Sequence, residues 1–195
     1  MRPITLDGFE AKFAADPDPW FTFSDRDEAH KRQAILHALG SGKRGRILEL
    51  AAGNGSNSAT LARRTLRLDA TEGTAEGTAL VAKAIADCPG ARALRLALPD
   101  PFPSPRYDAI IVAEVLYYLT ARVMAETARR VSRALPVGGR LVLAHHRIDF
   151  HDFVQHAAGI HADFLRDTGA RWHVLSEVRT GRWIVQGLAK APAGP

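Results

Sequence analysis

A chain of 195 residues with a single cysteine can build neither an intrachain disulfide nor a thiolate cage for a metal. Its net charge of +5 comes mostly from arginines dispersed along the sequence rather than run together with aromatics, which favours a solvated basic surface over a nucleic-acid face. No apolar segment reaches the ~20 residues of a membrane span, and residues 1–7 lack the apolar core of a secretion signal, so the expectation is one domain, residues 1–195, in the cytoplasm and without a membrane partner.

In chain order, residues 1–24 carry Pro17, Pro19 and the aromatics Phe9, Phe13, Trp20, Phe21 and Phe23. That is too aromatic for a disordered tail and reads as a cap over the core, a lid over a site, or both. A helix is expected over 27–39, with Ala34, Ile35, Leu36 and Leu39 on its apolar side and Gly40 ending it. Residues 1–40 thus form a helical N-terminal cap, and 41–190 a core. In the core, short apolar runs alternate with helical stretches, the pattern of an α/β sheet covered on both faces.

Strands are expected over 46–50, 66–71, 93–96, 108–113 and 140–145, and helices over 58–64, 75–87 and 121–135. Thr120 suits the N-cap of the last helix, and Val123, Ala128, Val131 and Leu135 its buried stripe. Right-handed crossovers make such a sheet doubly wound and mostly parallel. A helix over 150–167 is followed by strands over 171–178 and 183–189, and the short link between those strands demands an antiparallel hairpin. Residues 191–195 read as a loose tail. Cys88, beside Pro89, reads as a small helix-end residue. His151, His156 and His161 are spaced by five, which spreads them around a helix, so no metal site is expected.

The run from Arg46 to Ser56 carries the chemistry. An apolar strand ends in Glu49 and Leu50, then enters a turn of small residues, Ala51, Ala52, Gly53, Asn54 and Gly55, that opens a helix. Such a turn leaves backbone accessible to a ligand, and Gly tolerates positive φ. Glu72 lies roughly 20 residues on, where the next strand of a βαβ unit presents a carboxylate to ribose hydroxyls. A dinucleotide turn has a third glycine for close helix packing and a helix N-terminus for the pyrophosphate. Here Ser58 occupies that third position, and Glu49 suits a cationic ligand better than a pyrophosphate.

At these residues the sequence resembles motif I of the class I S-adenosylmethionine-dependent methyltransferases. Further segments are similar to the nodulation protein S (NodS-like) family of N-methyltransferases: the box Asp16, Pro17, Asp18, Pro19, Trp20, then Glu28 and Lys31, the runs at 107–111 and 114–119, and Leu135 to Gly139 with His145. The resemblance runs from about Phe9 to the last strand. It implies a Rossmann-like fold, a doubly wound and mostly parallel seven-stranded sheet with a C-terminal antiparallel hairpin, and S-adenosylmethionine as cofactor with S-adenosylhomocysteine as product. It also implies an amine acceptor, a small molecule or an aminosugar or oligosaccharide amine.

By the same resemblance, Gly53 and Gly55 offer backbone to the methionine part, Glu49 supports its amino group, Glu72 grips the ribose, and Ala97 and Leu98 border the adenine. Ala51, Asn54, Ala113 and Trp20 complete the cofactor set. Two departures stand out: many relatives carry an acidic residue at Ala97, and a glycine at Ala51, where a methyl is tolerable if φ is negative. Asp100 is either the substitute acid or part of a turn with Pro101. Glu114, His145 and His146 are the titratable groups expected nearest the acceptor, with Tyr117 and Tyr118 as a wall. The competing readings are an O- or RNA-directed methyltransferase, an adenosylmethionine-binding protein without turnover, and an NAD-linked oxidoreductase.

Overall fold

The structure is a computed structural model that describes residues 3–194. The first two residues of the expected cap and the last residue of the expected tail lie outside the described residues. Two helices come first, α1 (Leu6–Ala15) and α2 (Arg26–Leu39), followed by strand β1 (Arg44–Leu50). A four-residue helix, α3 (Ser58–Leu61), tightens into a 3₁₀ turn before β2 (Thr65–Glu72). Then come α4 (Ala75–Ala84), β3 (Ala91–Arg95), β4 (Ala109–Ala113), α5 (Ala121–Ala134) and β5 (Arg140–His146). The chain closes with α6 (Ile160–Asp167), β6 (Trp172–Arg179) and β7 (Trp183–Lys190).

The seven strands form one sheet in the order β3-β2-β1-β4-β5-β7-β6. The first five run parallel, and β7 inserts antiparallel between β5 and β6. The expected C-terminal hairpin is therefore present, with its second strand on the inside. Strand order reverses between β1 and β4, which opens the crevice where open α/β sheets bind ligands.

Both faces of the sheet are covered. Leu48, Leu50, Ile110, Val112, Leu141 and Leu143 pack against Met124, Ala128 and Val131 of α5 and Phe164 of α6. Their neighbours Ile47, Leu68, Ile111, Val142 and Val185 point the other way, onto Ile35 and Leu39 of α2 and Val81 of α4. Each such side chain, taken out of water, contributes about 1.5–3 kcal/mol. Helix ends follow the sequence: Thr74 and Thr120 cap α4 and α5 through their hydroxyls, and Gly40 ends α2 at φ +92°.

The expected helix over 150–167 is a correction, because only Ile160–Asp167 is helical. The backbone donors ahead of it are taken by distant partners. Val154 and Gln155 N–H donate to the Tyr117 carbonyl at 2.8 and 3.1 Å, and Ala157 N–H donates to the Asp149 carboxylate at 2.6 Å. Nor is the tail loose from its start, since Ala191 is buried and donates to the Arg171 carbonyl at 2.8 Å. Among the described residues no helix is long and apolar enough to cross a membrane.

Candidate functional site

A cavity of about 630 Å³ opens above the carboxyl ends of β1, β2 and β4. Its roof comes from α1 with the residues on either side of it and from the turn-rich segment after β5, and the two meet where Ile4 N–H, ahead of α1, donates to the Asp152 carbonyl at 3.3 Å. At that size it falls within the usual range of small-molecule sites. Among the described residues, three non-glycine residues have φ in the left-handed region, Phe21, Ala51 and Glu114, and all three line this cavity. Such strain is tolerated where the surroundings over-determine the backbone, and it gathers at functional sites.

At one end Glu72, the last residue of β2, turns its carboxylate toward the β1 turn. Oε2 accepts the Gly53 amide at 3.0 Å, and Oε1 accepts the amide and hydroxyl of Thr74 at 3.0 Å each. Burial pushes the Glu72 carboxyl above its ordinary value, against the pull of these donors. Gly53 sits at φ +62°, and a Cβ added there would meet only the tip of Phe13, at 3.9 Å. The backbone is therefore bare toward the cavity. Ala51 also lines the wall, but at φ +52°, so the condition under which its methyl is tolerated without strain, a negative φ, is not met. Its methyl is held at a cost of about 1–2 kcal/mol.

Other expected cofactor residues are sorted by the fold. Leu98, Ala113 and Trp20 stand on the wall, joined by Leu96. Ala97 does not line it, and Asp100 forms the turn alternative, its N–H donating to the Ala97 carbonyl at 2.8 Å. Gly55 faces away: a Cβ there would come within 2.7 Å of the Ala84 Cβ and 3.0 Å of the Val81 Cα, so its bareness serves the packing of α4. Glu49 is also off the wall, fully buried, and accepts the Ser58 hydroxyl at 2.5 Å. Burial pushes its carboxyl up to about 8.

Asn54 has a task its position in the turn did not reveal. Its amide donates to the Pro17 carbonyl, the Asp18 carboxylate and the Thr22 hydroxyl at 3.2, 2.8 and 2.9 Å, clipping the N-terminal segment onto the turn. Asp18 in turn accepts the Thr22 and Phe23 amides. That fold of the Asp-Pro-Asp-Pro-Trp box lays Trp20 against Phe9 and Phe13, with ring centroids 6.0 and 5.5 Å apart.

The other end of the cavity is charged. Lys31 of α2, buried, donates to Glu28 Oε1 at 2.7 Å and Glu114 Oε1 at 2.5 Å. Glu114 Oε2 accepts the Tyr117 hydroxyl and, at 3.3 Å, the His146 amide. Burial works against the Glu114 carboxylate, but Lys31 and His146 outweigh it and hold the carboxyl below its ordinary value. Burial likewise works against the Lys31 ammonium, which the two carboxylates keep raised. Burial, then Glu114, lift the Tyr117 phenol well above its usual value, so it stays a donor. Tyr117 stacks on Phe153 at 3.7 Å, and Tyr118 meets Phe9 edge-on at 4.9 Å.

The two histidines separate, and His145 is a correction. It is buried off the cavity, accepting the Leu116 amide on Nε2 at 3.3 Å and meeting His161 Nε2 through Nδ1 at 2.9 Å. His161 continues to Gln186 Oε1 at 2.8 Å. Burial, then His161, press the His145 ring well below its ordinary value, so it is a neutral structural link. His146 does line the cavity, with Nε2 3.8 Å from Glu28 and 4.0 Å from Glu114.

Glu28 and Lys31 received no role from sequence. A signal existed, because Lys31 falls on the same helical stripe as the buried Ala34, Ile35 and Ala38. A cation on an apolar stripe requires a buried partner.

No protein-family model matches the chain, and no curated protein matches it. Solved structures do. A candidate methyltransferase from Pseudomonas syringae is 26% identical, with a TM-score of 0.72, over 85% of this chain and 99% of that one. N-methyltransferase NodS from Bradyrhizobium japonicum WM9, in complex with S-adenosyl-L-homocysteine, is 20% identical, with a TM-score of 0.83, over 96% of this chain and 98% of that one. Geranyl diphosphate C-methyltransferase from Streptomyces coelicolor A3(2) is 14% identical, with a TM-score of 0.69, over 84% of this chain and 79% of that one. The chain has the Rossmann-like methyltransferase fold, shared with enzymes of different acceptors.

Proposed function

We propose, from that shared fold and the geometry of the cavity, that the chain transfers a methyl group from S-adenosylmethionine to the amine of a small molecule, an aminosugar or oligosaccharide amine being the first candidate. One observation carries the reading: the bare backbone at Gly53 and the Glu72 carboxylate stand 3.0 Å apart on the wall of one cavity. The residues fit the cofactor. Glu72 would hold ribose hydroxyls, the 51–53 backbone the methionine part, and Leu96 and Leu98 the adenine. Bound there, the cofactor supplies a sulfonium methyl with a good leaving group already attached.

The chain's own contribution is placement. Tyr117, Tyr118 and Phe153 wall the acceptor end, so a nucleophile can be held ~3–3.5 Å from its target in the right line. Glu114 and His146 line the same cavity and are the titratable groups this reading assigns to the acceptor amine. A dinucleotide fits less well: α3 has four residues, too short to present a helix N-terminus to a pyrophosphate, and its first residue, Ser58, is engaged by Glu49.

Calorimetry with S-adenosylmethionine, S-adenosylhomocysteine and NAD tests the reading. Both sulfur ligands should bind and NAD should not. Tight binding of NAD with no response to either sulfur ligand would overturn it. A labelled-methyl screen over amines, aminosugars, alcohols and tRNA then separates acceptors, and an RNA acceptor would show steep salt dependence of binding.

A further inference from the structure

Building on the methyl-transfer reading, we infer that Glu28 is the specificity-determining residue of the acceptor site and that its free oxygen receives the ammonium group of a primary amine. The charges at that end of the cavity do not balance, because the single Lys31 ammonium is shared by the Glu28 and Glu114 carboxylates. With a neutral imidazole at His146, whose Nε2 stands 3.8 Å from Glu28 and 4.0 Å from Glu114, one negative charge is left over. Both Glu114 oxygens already have partners, Oε1 in Lys31 and Oε2 in the Tyr117 hydroxyl and the His146 amide.

Glu28 differs. Its Oε1 accepts Lys31, and His146 Nε2 stands 3.8 Å from the same atom, while Oε2 accepts no hydrogen bond from the described residues. The side chain keeps 18% of its surface exposed and lines the cavity. A half-used carboxylate on the wall of a largely apolar cavity is a receptor for a cationic donor, because charge-assisted hydrogen bonds strengthen where water is thinned.

The helix holds Glu28 in place. It lies in the first turn of α2, where Asp25 caps the helix and Asp27 accepts the Trp183 indole N–H at 2.9 Å from β7. Lys31 then fixes the carboxylate from below, and the strained turn at Glu114 fixes Lys31. An alcohol of the same skeleton can donate a proton to Glu28 but brings no charge. The negative carboxylate therefore selects amines. Before attack the bound ammonium passes one proton to the Glu28 carboxylate, and the freed lone pair forms the N–CH3 bond as the S–CH3 bond breaks, leaving S-adenosylhomocysteine.

The experiment has two stages. Calorimetry with S-adenosylhomocysteine on the wild type comes first, and failure to bind overturns the proposed function itself. The wild type is then screened by labelled-methyl transfer against matched pairs, each primary amine with the alcohol of the same carbon skeleton, and against the amines with Glu28→Gln and Glu28→Asp. Amines should be methylated and their alcohols not. Glu28→Gln should lose at least about tenfold in kcat/KM for amines, mostly through KM, with S-adenosylhomocysteine binding kept within about twofold and Glu28→Asp recovering part of the loss. Alcohols turned over as well as amines, no amine turned over by a protein that binds S-adenosylhomocysteine, or a Glu28→Gln protein with unchanged KM would each overturn the inference. Should Glu28→Gln not fold, Glu28→Asp carries the same KM test, and an unchanged KM there would overturn the inference.

Discussion

The half of the cavity assigned to the cofactor takes its wall from residues 51–54 and from Glu72, at the ends of two neighbouring parallel strands. The half assigned to the acceptor is drawn from α2, the turn after β4 and the end of β5, and its central ion pair joins Lys31 and Glu114 across 83 positions of sequence. In the first half, backbone amides answer one carboxylate. In the second, side chains answer one another. The first arrangement tolerates the loss of one side chain, because much of it is main chain, whereas the second depends on every charge being present.

Replacing Lys31 should break the comparison most severely. Lys31→Met leaves Glu28 and Glu114 facing each other across a partly buried site, and we expect a loss of about 3 kcal/mol, a drop in Tm of roughly 10 °C. A scan showing an unchanged Tm would mean that the two carboxylates are solvated well enough to need no cation. Glu72→Ala should act mainly on ligand binding, weakening S-adenosylhomocysteine by about 1–3 kcal/mol. An unchanged Kd would make Glu72 a brace for the Gly53 turn alone.

Glu49 sharpens the boundary of the cofactor half. Its carboxyl keeps a proton in the folded chain up to about pH 8, whereas the unfolded chain releases it near the ordinary value of 4.5, so stability is lost as pH climbs through that window. Glu49→Gln keeps a neutral partner for Ser58 and should gain on the wild type by up to ~1.4 kcal/mol per pH unit as pH rises. It should also disturb S-adenosylhomocysteine binding less than Glu72→Ala. Denaturation midpoints that differ equally at low and high pH would show Glu49 ionised in the folded chain. The smallest effect belongs to Ala51→Gly, which relieves a positive φ and should add about 1 kcal/mol. A fall in Tm would show that the Ala51 methyl packs better than its backbone suffers.

How much of this was legible follows the same division. The cradle could be read because its parts are consecutive residues in a strand-turn-helix unit, and Glu72 follows at the interval one crossover requires. Gly55 shows the limit, since sequence reports that a side chain is missing but not whether a ligand or the α4 helix fills the space. The helix over 150–159 was misread because local pattern favoured it, while the Tyr117 carbonyl and the Asp149 carboxylate took its backbone donors.

By itself, the sequence determined the alternation of strands and helices, the parallel sheet with its closing hairpin, and the turn that presents bare backbone, because each depends on spacing along a few neighbouring residues. Tertiary structure alone decided that His146 reaches the cavity while His145 enters the core, and that Glu28 keeps an oxygen free while Glu114 does not. Successive strand residues point to opposite faces, and in a sheet buried on both sides the pattern gives neither face a preference. Which oxygen remains unpaired depends on donors brought together from distant parts of the chain.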